Sequence, residues 1–381
     1  MDKKSALYSQ YIIDGVSQEL TPGEMLDECL ARKDWREEPP QEDGQLLDES
    51  LDPELQAGSF DSWKVRDYLD MTLGTPRKEF PLAFSSQFTK LVIGRALSEV
   101  IWDTGHFRLG DIALDAEWRW NTSGIGSNAA FYASAQSASE YIDSLGLKLN
   151  SYSWSGAGTC SLDVRCSLAC MEGEEEDFPV ELPFRTEHPV LAAERKIPAS
   201  LVDDPESWII FVPMENCELR LGGSLLSEIT GLGCEPAPEP SDPDYFIDCF
   251  EVIREMVEDG ILLSGASVGD GGLLTTLKKM ALSSAGGKVG AKINVNDLMN
   301  AYHEQDIIRI LFSEVPGVVL QIRDEDYDYL DAEFVLQDVV FFPLGHPVHG
   351  KSEIKVEESG KSGIQSILES LIRSQSSEGE D

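Results

Sequence analysis

The chain has 381 residues and a mass of 42.0 kDa, which is long enough for two domains of ordinary size. It carries 69 acidic and 30 basic residues, a formal net charge of −39, so we expect its surface to repel nucleic acid and anionic membranes. A second interpretation stays open, in which the excess carboxylates only keep the protein in solution, including in a saline habitat.

Targeting and metal-binding patterns are weak. The sequence has no apolar run of about 18 residues, the length a spanning helix needs, and its start lacks the apolar stretch of a signal peptide, so we expect a cytoplasmic protein.

Seven cysteines without a CxxC pair indicate reduced thiols, and we expect Cys160, Cys166 and Cys170 to be core residues rather than zinc ligands. His346 and His349 lack an evident third ligand, so no metal site is expected.

The first half of the chain predicts an extension followed by a domain. Residues 1–75 are rich in Asp, Glu, Pro and Gly and predict a loosely structured acidic extension. For residues 76–200, hydrophobic periodicity predicts a domain with a helix from Ser85, a strand over Asp111–Trp120, a helix around Asn128–Leu145 and a strand over Leu162–Leu168.

Residues 201–348 predict a second domain in which strands and helices again alternate. The expected elements are a strand over Trp208–Val212, a short helix after Ser224, a helix over Tyr245–Asp259, strands at Ile261–Leu263 and near Val289–Val295, a short helix near Asp306–Phe312 and a strand over Val318–Ile322. The alternation predicts an α/β or α+β fold of two domains. In the tail, residues 349–381, apolar residues from Ile364 to Ile372 form a helical stripe that could dock on a partner or on the body.

A glycine-rich segment, Gly265–Gly287, is the centre of this pattern. It reads as a strand, a loop holding Gly269, Asp270, Gly271 and Gly272, and a helix that begins near Leu273. The amides of such a loop can bind an anion at the N-terminus of the helix, so a phosphate site is one interpretation. Close packing of the strand on the helix, with no ligand, is the other.

Four segments, taken in order, resemble phosphoribosylformylglycinamidine synthase and, more broadly, the aminoimidazole ribonucleotide synthetase superfamily. They are IALDAEWRW at 112–120, LRLGGSLL at 219–226, GDGGL at 269–273 and LFSEVPGVVLQI at 311–322. The resemblance implies two α/β domains, the first adding strands to a barrel shared across a dimer, and replacement of an amide oxygen by ammonia at the expense of ATP. It also implies that ATP or ADP with magnesium would bind at the two glycine loops, through Gly222, Gly223, Ser224, Asp270, Gly271 and Gly272.

The chain departs from the family's motifs where the chemistry is carried out. Ala266 and Ser267 replace a His-Asp pair, while Thr159 and Cys160 replace a lysine and its acidic neighbour. The three magnesium ligands that the resemblance implies, a Glu, an Asn and an Asp, align with Arg95, Glu99 and Pro213. Since a guanidinium repels a cation, we hypothesise that Arg95 supplies the charge of the metal with Glu99 as its partner. An ordinary exposed ion pair is the alternative.

These departures favour a non-catalytic homologue that requires no cofactor and has no catalytic residue we can identify. It would act as a structural or regulatory subunit, as a homodimer or in a heteromer with a catalytic homologue. The alternative is an active component of the synthase, or a related ATP-dependent ligase of purine biosynthesis, that uses Asp270 and residues not yet recognised.

Overall fold

The computed structural model describes residues 6–31, 45–48, 59–103, 108–156, 158–169, 195–232 and 235–357. The helices are α1 Pro22–Glu28, α2 Val65–Gly74, α3 Ser85–Val100, α4 Ser127–Ser144, α5 Leu225–Thr230, α6 Pro243–Asp259, α7 Gly272–Leu282, α8 Asn296–Ala301, α9 Ile307–Phe312 and α10 Tyr327–Leu336. The strands are β1 Gln10–Ile13, β2 Val16–Ser17, β3 Gln45–Asp48, β4 Ile112–Arg119, β5 Lys148–Ser155, β6 Ser161–Leu168, β7 Trp208–Pro213, β8 Leu262–Ser267, β9 Val289–Ile293, β10 Gly317–Ile322, β11 Phe342–His349 and β12 Ile354–Val356.

The second half of the chain builds a six-stranded sheet in the order β12-β9-β11-β7-β10-β8. Its pairs are antiparallel except for β12 and β9, which run parallel. Side chains alternate between its faces, so Ile209 and Phe211 of β7 join the apolar cluster of α7 and α9, while Ile210 and Val212 join that of α6 and α10. The sheet therefore lies between two helical layers, and the predicted α/β fold is confirmed.

The first half contributes a smaller sheet, β5-β4-β6, and two long helices that pack on each other, α3 and α4. The alternation read from the sequence is visible in β4, where Leu114 and Trp118 are fully buried. Helix α3 also contacts β8 and β10 of the larger sheet. At Gly94 a Cβ atom would lie 2.9 Å from the Pro316 ring, so the next residue, Arg95, lies at the junction of the two halves.

The prediction of a loosely structured extension over residues 1–75 is wrong for its described parts. Tyr11 of β1 and Leu26 of α1 are fully buried, and α1 packs on α4. Thr21 and Glu24 form a capping box that starts α1, while α2 packs on α5 and α7. A few large apolar residues anchor these segments, although the composition around them is acidic.

Some predictions fall outside the described residues or need extension. The stripe from Ile364 to Ile372, together with Cys170, lies outside them. Strand β12 follows the predicted domain end at residue 348 and pairs with β9, so the sheet continues beyond that limit. Within the described part of the chain, no helix combines the length and the apolar character needed to cross a membrane.

Candidate functional site

The first glycine loop, residues 269–272, joins β8 to α7 and ends in two glycines whose backbone is left-handed. Gly271 has φ +87° and Gly272 has φ +74°. A Cβ atom on Gly272 would lie 2.6 Å from the carbonyl carbon of Phe312, at the end of α9. The left-handed backbone therefore accounts for both glycines, and close packing on the end of α9 is a second reason for glycine at Gly272.

The second glycine loop, residues 222–224, leads into α5 and is equally crowded. A Cβ atom on Gly222 would lie 2.5 Å from the carbonyl oxygen of Glu235, and Gly223 has φ +71°. Ser224 caps α5, because its hydroxyl accepts a hydrogen bond from the amide of Ser227 at 3.2 Å. The two loops thus present the N-termini of two helices.

Both N-termini donate to the same atom. Oε1 of Glu314 accepts from the amide of Leu225 at 2.8 Å and from the amide of Gly271 at 2.7 Å. The Glu314 side chain is only 2% exposed. A carboxylate from this chain therefore occupies the position where an anionic ligand would meet the amides of both loops.

Two arginines join Glu314 to Asp270. Oε2 of Glu314 accepts from Nη2 of Arg77 at 2.6 Å and from Nη2 of Arg95 at 2.8 Å. Oδ1 of Asp270 accepts from Nε of Arg77 at 3.1 Å and from Nη1 of Arg95 at 2.8 Å. We call these four residues the ion cluster. The guanidinium carbons lie 4.5 Å and 5.6 Å from the centre of the Phe88 ring, which places both cations beside an aromatic surface.

Each charged group of the ion cluster stabilises the ionised form of its partners. Burial alone would raise the pKa of Asp270, but Arg95 and Arg77 outweigh it and hold that pKa below its usual value. Burial alone would lower the pKa of Arg77, but Glu314 and Asp270 raise it. Arg77 also donates to the carbonyl of Gly223 at 3.0 Å. The cluster is thus a network of charged groups that ties both glycine loops to α3.

The predicted pairing of Arg95 with Glu99 is wrong. Glu99 lies 3.5 Å from Nη1 of Arg195, whereas Arg95 reaches Asp270 and Glu314. The alternative of an ordinary exposed pair is wrong as well, since the Arg95 side chain is 15% exposed. The helical spacing placed both residues on one side of α3 but could not reveal which residues beyond the helix each would meet.

The other positions marked by the family resemblance have structural roles. The Ser267 hydroxyl accepts a hydrogen bond from the indole of Trp102 at 2.8 Å. Cys160 lies beside the smaller sheet, where its carbonyl accepts from the amide of Phe80 at 3.0 Å. Among the described residues, no group of three or more His, Cys, Asp or Glu side chains is arranged to hold a metal ion.

Two members of the ion cluster were missed by the sequence analysis. Arg77 lies in the short connection between α2 and α3, outside every motif that was recognised. Glu314 lies in the recognised segment 311–322, but the sequence analysis gave its side chain no role. Its position directly after α9 and before β10 was the available indication that its side chain could reach the loops.

Comparisons with known proteins agree with the fold. Residues 204–334 match the family described as AIR synthase related protein, C-terminal domain. Phosphoribosylformylglycinamidine synthase of Dictyostelium discoideum is 28% identical over 255 residues, which are 65% of this chain and 18% of that protein. The human protein of the same name is 26% identical over 242 residues, 62% of this chain and 16% of its own length. The chain thus spans less than a fifth of these relatives.

A solved structure, titled PurLQS from Thermotoga maritima, is similar to 73% of this chain and to 40% of its own chain. The two share 12% sequence identity with a TM-score of 0.49.

Proposed function

This chain belongs to the aminoimidazole ribonucleotide synthetase superfamily, and from that premise we propose that it is a non-catalytic homologue of phosphoribosylformylglycinamidine synthase. Its role is that of a structural or regulatory subunit, as a homodimer or in a heteromer with a catalytic homologue. The resemblance of its first half to a domain that shares a barrel across a dimer supports this kind of assembly.

The observation that carries the proposal is the position of the Glu314 carboxylate. Its Oε1 atom already accepts from the amides of Leu225 and Gly271, at 2.8 Å and 2.7 Å. A phosphate at either helix N-terminus would have to displace it, leaving a buried carboxylate without its backbone donors. Breaking a buried charged network in this way costs about 3–5 kcal/mol, which opposes nucleotide binding at the loops.

Magnesium fits this arrangement equally poorly. The two carboxylates that could bridge a cation, those of Asp270 and Glu314, are already bridged by the guanidinium groups of Arg77 and Arg95. Arg95 also stands at the position of a glutamate ligand in the family motif. A divalent cation there would meet two fixed positive charges, so the described residues do not suit a magnesium nucleotide.

The alternative is an active component of the synthase or a related ATP-dependent ligase. The observation in its favour is that Asp270 keeps 36% of its side chain exposed, so a ligand could reach this carboxylate without opening the core. In that case the ion cluster would have to rearrange when the nucleotide binds.

A thermal-shift experiment on the full chain separates the two proposals. A ligand present at about 100 times its dissociation constant stabilises the folded state by about 2.7 kcal/mol. We expect no shift with ATP or ADP in the presence of magnesium, and no phosphate release when an amide substrate is added. A magnesium-dependent shift accompanied by phosphate release would establish the enzyme.

The subunit role has its own test. Light scattering on the purified chain should give a mass above that of one 42.0 kDa chain if it forms a homodimer. If the mass is that of a single chain, the homodimer is excluded. The heteromer is then tested by adding the catalytic homologue, which should raise the measured mass.

A further inference from the structure

A cavity of about 1150 Å³ lies between α2, α8, α9 and β12, and none of the four residues of the ion cluster lines it. Its lining includes apolar side chains that are only partly buried and that pack on the core around α7, namely Phe60, Val65, Met299, Ile307, Ile354 and Val356. Covering such side chains stabilises a fold in rough proportion to the apolar area removed from water. The cavity is therefore an apolar surface that the described residues cover incompletely.

The described part of the chain ends at this cavity. Strand β12 lies at one end of the described six-stranded sheet, and Ile354, Val356 and Glu357 line the cavity. The backbone of Glu357 is fixed there, because its amide donates to the carbonyl of Ile293 at 2.8 Å. Residues 358–381 therefore start beside the apolar lining.

The sequence beyond Glu357 carries an apolar stripe, which lies outside the described residues. Its apolar members are spaced at i, i+3, i+4, i+7 and i+8, with polar residues between them; they are Ile364, Ile367, Leu368, Leu371 and Ile372. This spacing predicts a helix with one apolar face. A helix of this length is marginal by itself in water, where about 12–15 residues are needed, so the stripe requires an apolar surface to pack on.

The link between Glu357 and the stripe is short. Residues 358–363 read ESGKSG, and such Gly- and Ser-rich composition is typical of linkers. A segment of this length spans at most about 22 Å, so the stripe begins within reach of the cavity that Glu357 lines. A short link also holds a tethered segment at a local concentration of about 1 mM, which favours the cavity of its own chain over that of a second copy.

The charges around the cavity also permit this packing. Residues 358–381 carry five acidic and two basic residues, so a surface as acidic as that of the whole chain, at −39, should repel them. Two of the carboxylates at the cavity are already engaged, since Asp306 accepts from the amide of Ile308 at 2.9 Å and Glu357 pairs with Lys292. The lining as a whole has as many basic as acidic residues, Arg66, Lys278, Lys288 and Lys351 against Asp70, Asp306, Glu353 and Glu357.

We propose that residues 364–372 pack their apolar stripe into this cavity of the same chain, as a further helix against α2, α8 and β12. The segment completes the apolar core on this side of the sheet and connects the terminal strand β12 to α2. The ion cluster and the two glycine loops take no part, so a failure of this docking would leave the proposed function unaffected, and the reverse also holds.

Hydrogen exchange of the full chain, followed peptide by peptide with mass spectrometry, tests the docking. We expect the amides of residues 364–372 to exchange at least tenfold more slowly in the wild type than in Ile367→Asp combined with Leu371→Asp. The matched control is Ser366→Asp combined with Ser370→Asp, which adds the same charge to the opposite side of the predicted helix and should keep the slow exchange. Equal exchange rates in the wild type and the apolar double variant would overturn the proposal.

A substitution in the cavity then locates the docking site. Met299→Asp places a charge in the apolar lining and should speed the exchange of residues 364–372 at least tenfold. Met71→Asp is the matched control and should leave that exchange unchanged, because Met71 is 42% exposed on α2 and does not line the cavity. A folded Met299→Asp variant that keeps the slow exchange would place the stripe elsewhere and refute the site.

Two further readings need no change in the cavity. The double substitution of Ile367 and Leu371 should also speed the exchange of α8, so the site remains testable if Met299→Asp does not fold. The slow exchange of residues 364–372 should be independent of protein concentration. An unchanged α8, or protection that is lost on dilution because the stripe occupies a second copy, would contradict docking within one chain.

Discussion

Substitution of Glu314 by Gln should destabilise the protein strongly, because this one side chain satisfies two helix N-termini and two arginines. The amide oxygen of glutamine can still accept from Leu225 and Gly271, but its NH₂ group would face the guanidinium groups that Oε2 now meets at 2.6 Å and 2.8 Å. Since Glu314 is only 2% exposed, solvent cannot replace the lost charge. Removal of one partner from a buried pair costs about 3–5 kcal/mol, and we expect a loss in that range.

The assay is urea unfolding of the full chain, followed by tryptophan fluorescence and by circular dichroism so that coincident transitions can be checked. Glu239→Gln is the matched control, since Glu239 forms an ion pair with Lys90 at 2.7 Å and is 51% exposed. An exposed pair contributes about 1 kcal/mol at most. If Glu314→Gln loses no more stability than Glu239→Gln, the ion cluster does not hold the two halves together and the reasoning is refuted.

Three further predictions concern titration and packing. The pKa of Asp270 is lower in the folded protein than in the unfolded chain, so its carboxylate stabilises the fold above the unfolded pKa of about 4, and this stabilisation is lost as the pH falls. Below that pH, the urea midpoint of Asp270→Asn should therefore depend less on pH than the midpoint of the wild type. Burial raises the pKa of Glu215 to about 7, so wild-type stability should fall as the pH rises from about 4.5 to 7. Glu215→Gln should remove up to about 3 kcal/mol of that loss, measured by urea melts at about pH 4.5 and 8. Gly272→Ala forces a Cβ atom to 2.6 Å from Phe312 and should lower the melting temperature well beyond Gly287→Ala, which has a similar φ of +61° in open space; equal effects would show that close packing is unimportant.

Periodicity identified most long elements because their own residues carry the information. The predicted helix Tyr245–Asp259 is observed as Pro243–Asp259, and Gly260 ends it with φ +70°, as glycine commonly does. The strand Trp208–Val212 extends by one residue to Pro213. In such segments the spacing of apolar residues in the sequence and their packing in the fold favour the same helix or strand.

The ion cluster could not be predicted from sequence periodicity. Arg77 and Glu314 are 237 residues apart in the chain, and their contact depends on how the two halves dock. Sequence spacing favoured Glu99 as the partner of Arg95, although both carboxylates that Arg95 meets come from the other half. The glycine loops were recognisable from their residues, but the carboxylate that occupies them was not.

The N-terminal extension was misjudged for a related reason. Its average composition is acidic and rich in Pro and Gly, which is typical of loosely structured segments. Tyr11 and Leu26 nevertheless reach the core, and the Ser139 hydroxyl of α4 donates to the carbonyl of Met25 at 2.9 Å. A few well-placed apolar residues can order a segment whose mean composition predicts otherwise.

A crystal structure of the full chain soaked with magnesium and ATP is the most direct test of the central claim. The account predicts that the Glu314 carboxylate stays on the amides of Leu225 and Gly271, with no triphosphate at the glycine loops. A magnesium-bound triphosphate beside Asp270, with Arg95 displaced from that carboxylate, would contradict it.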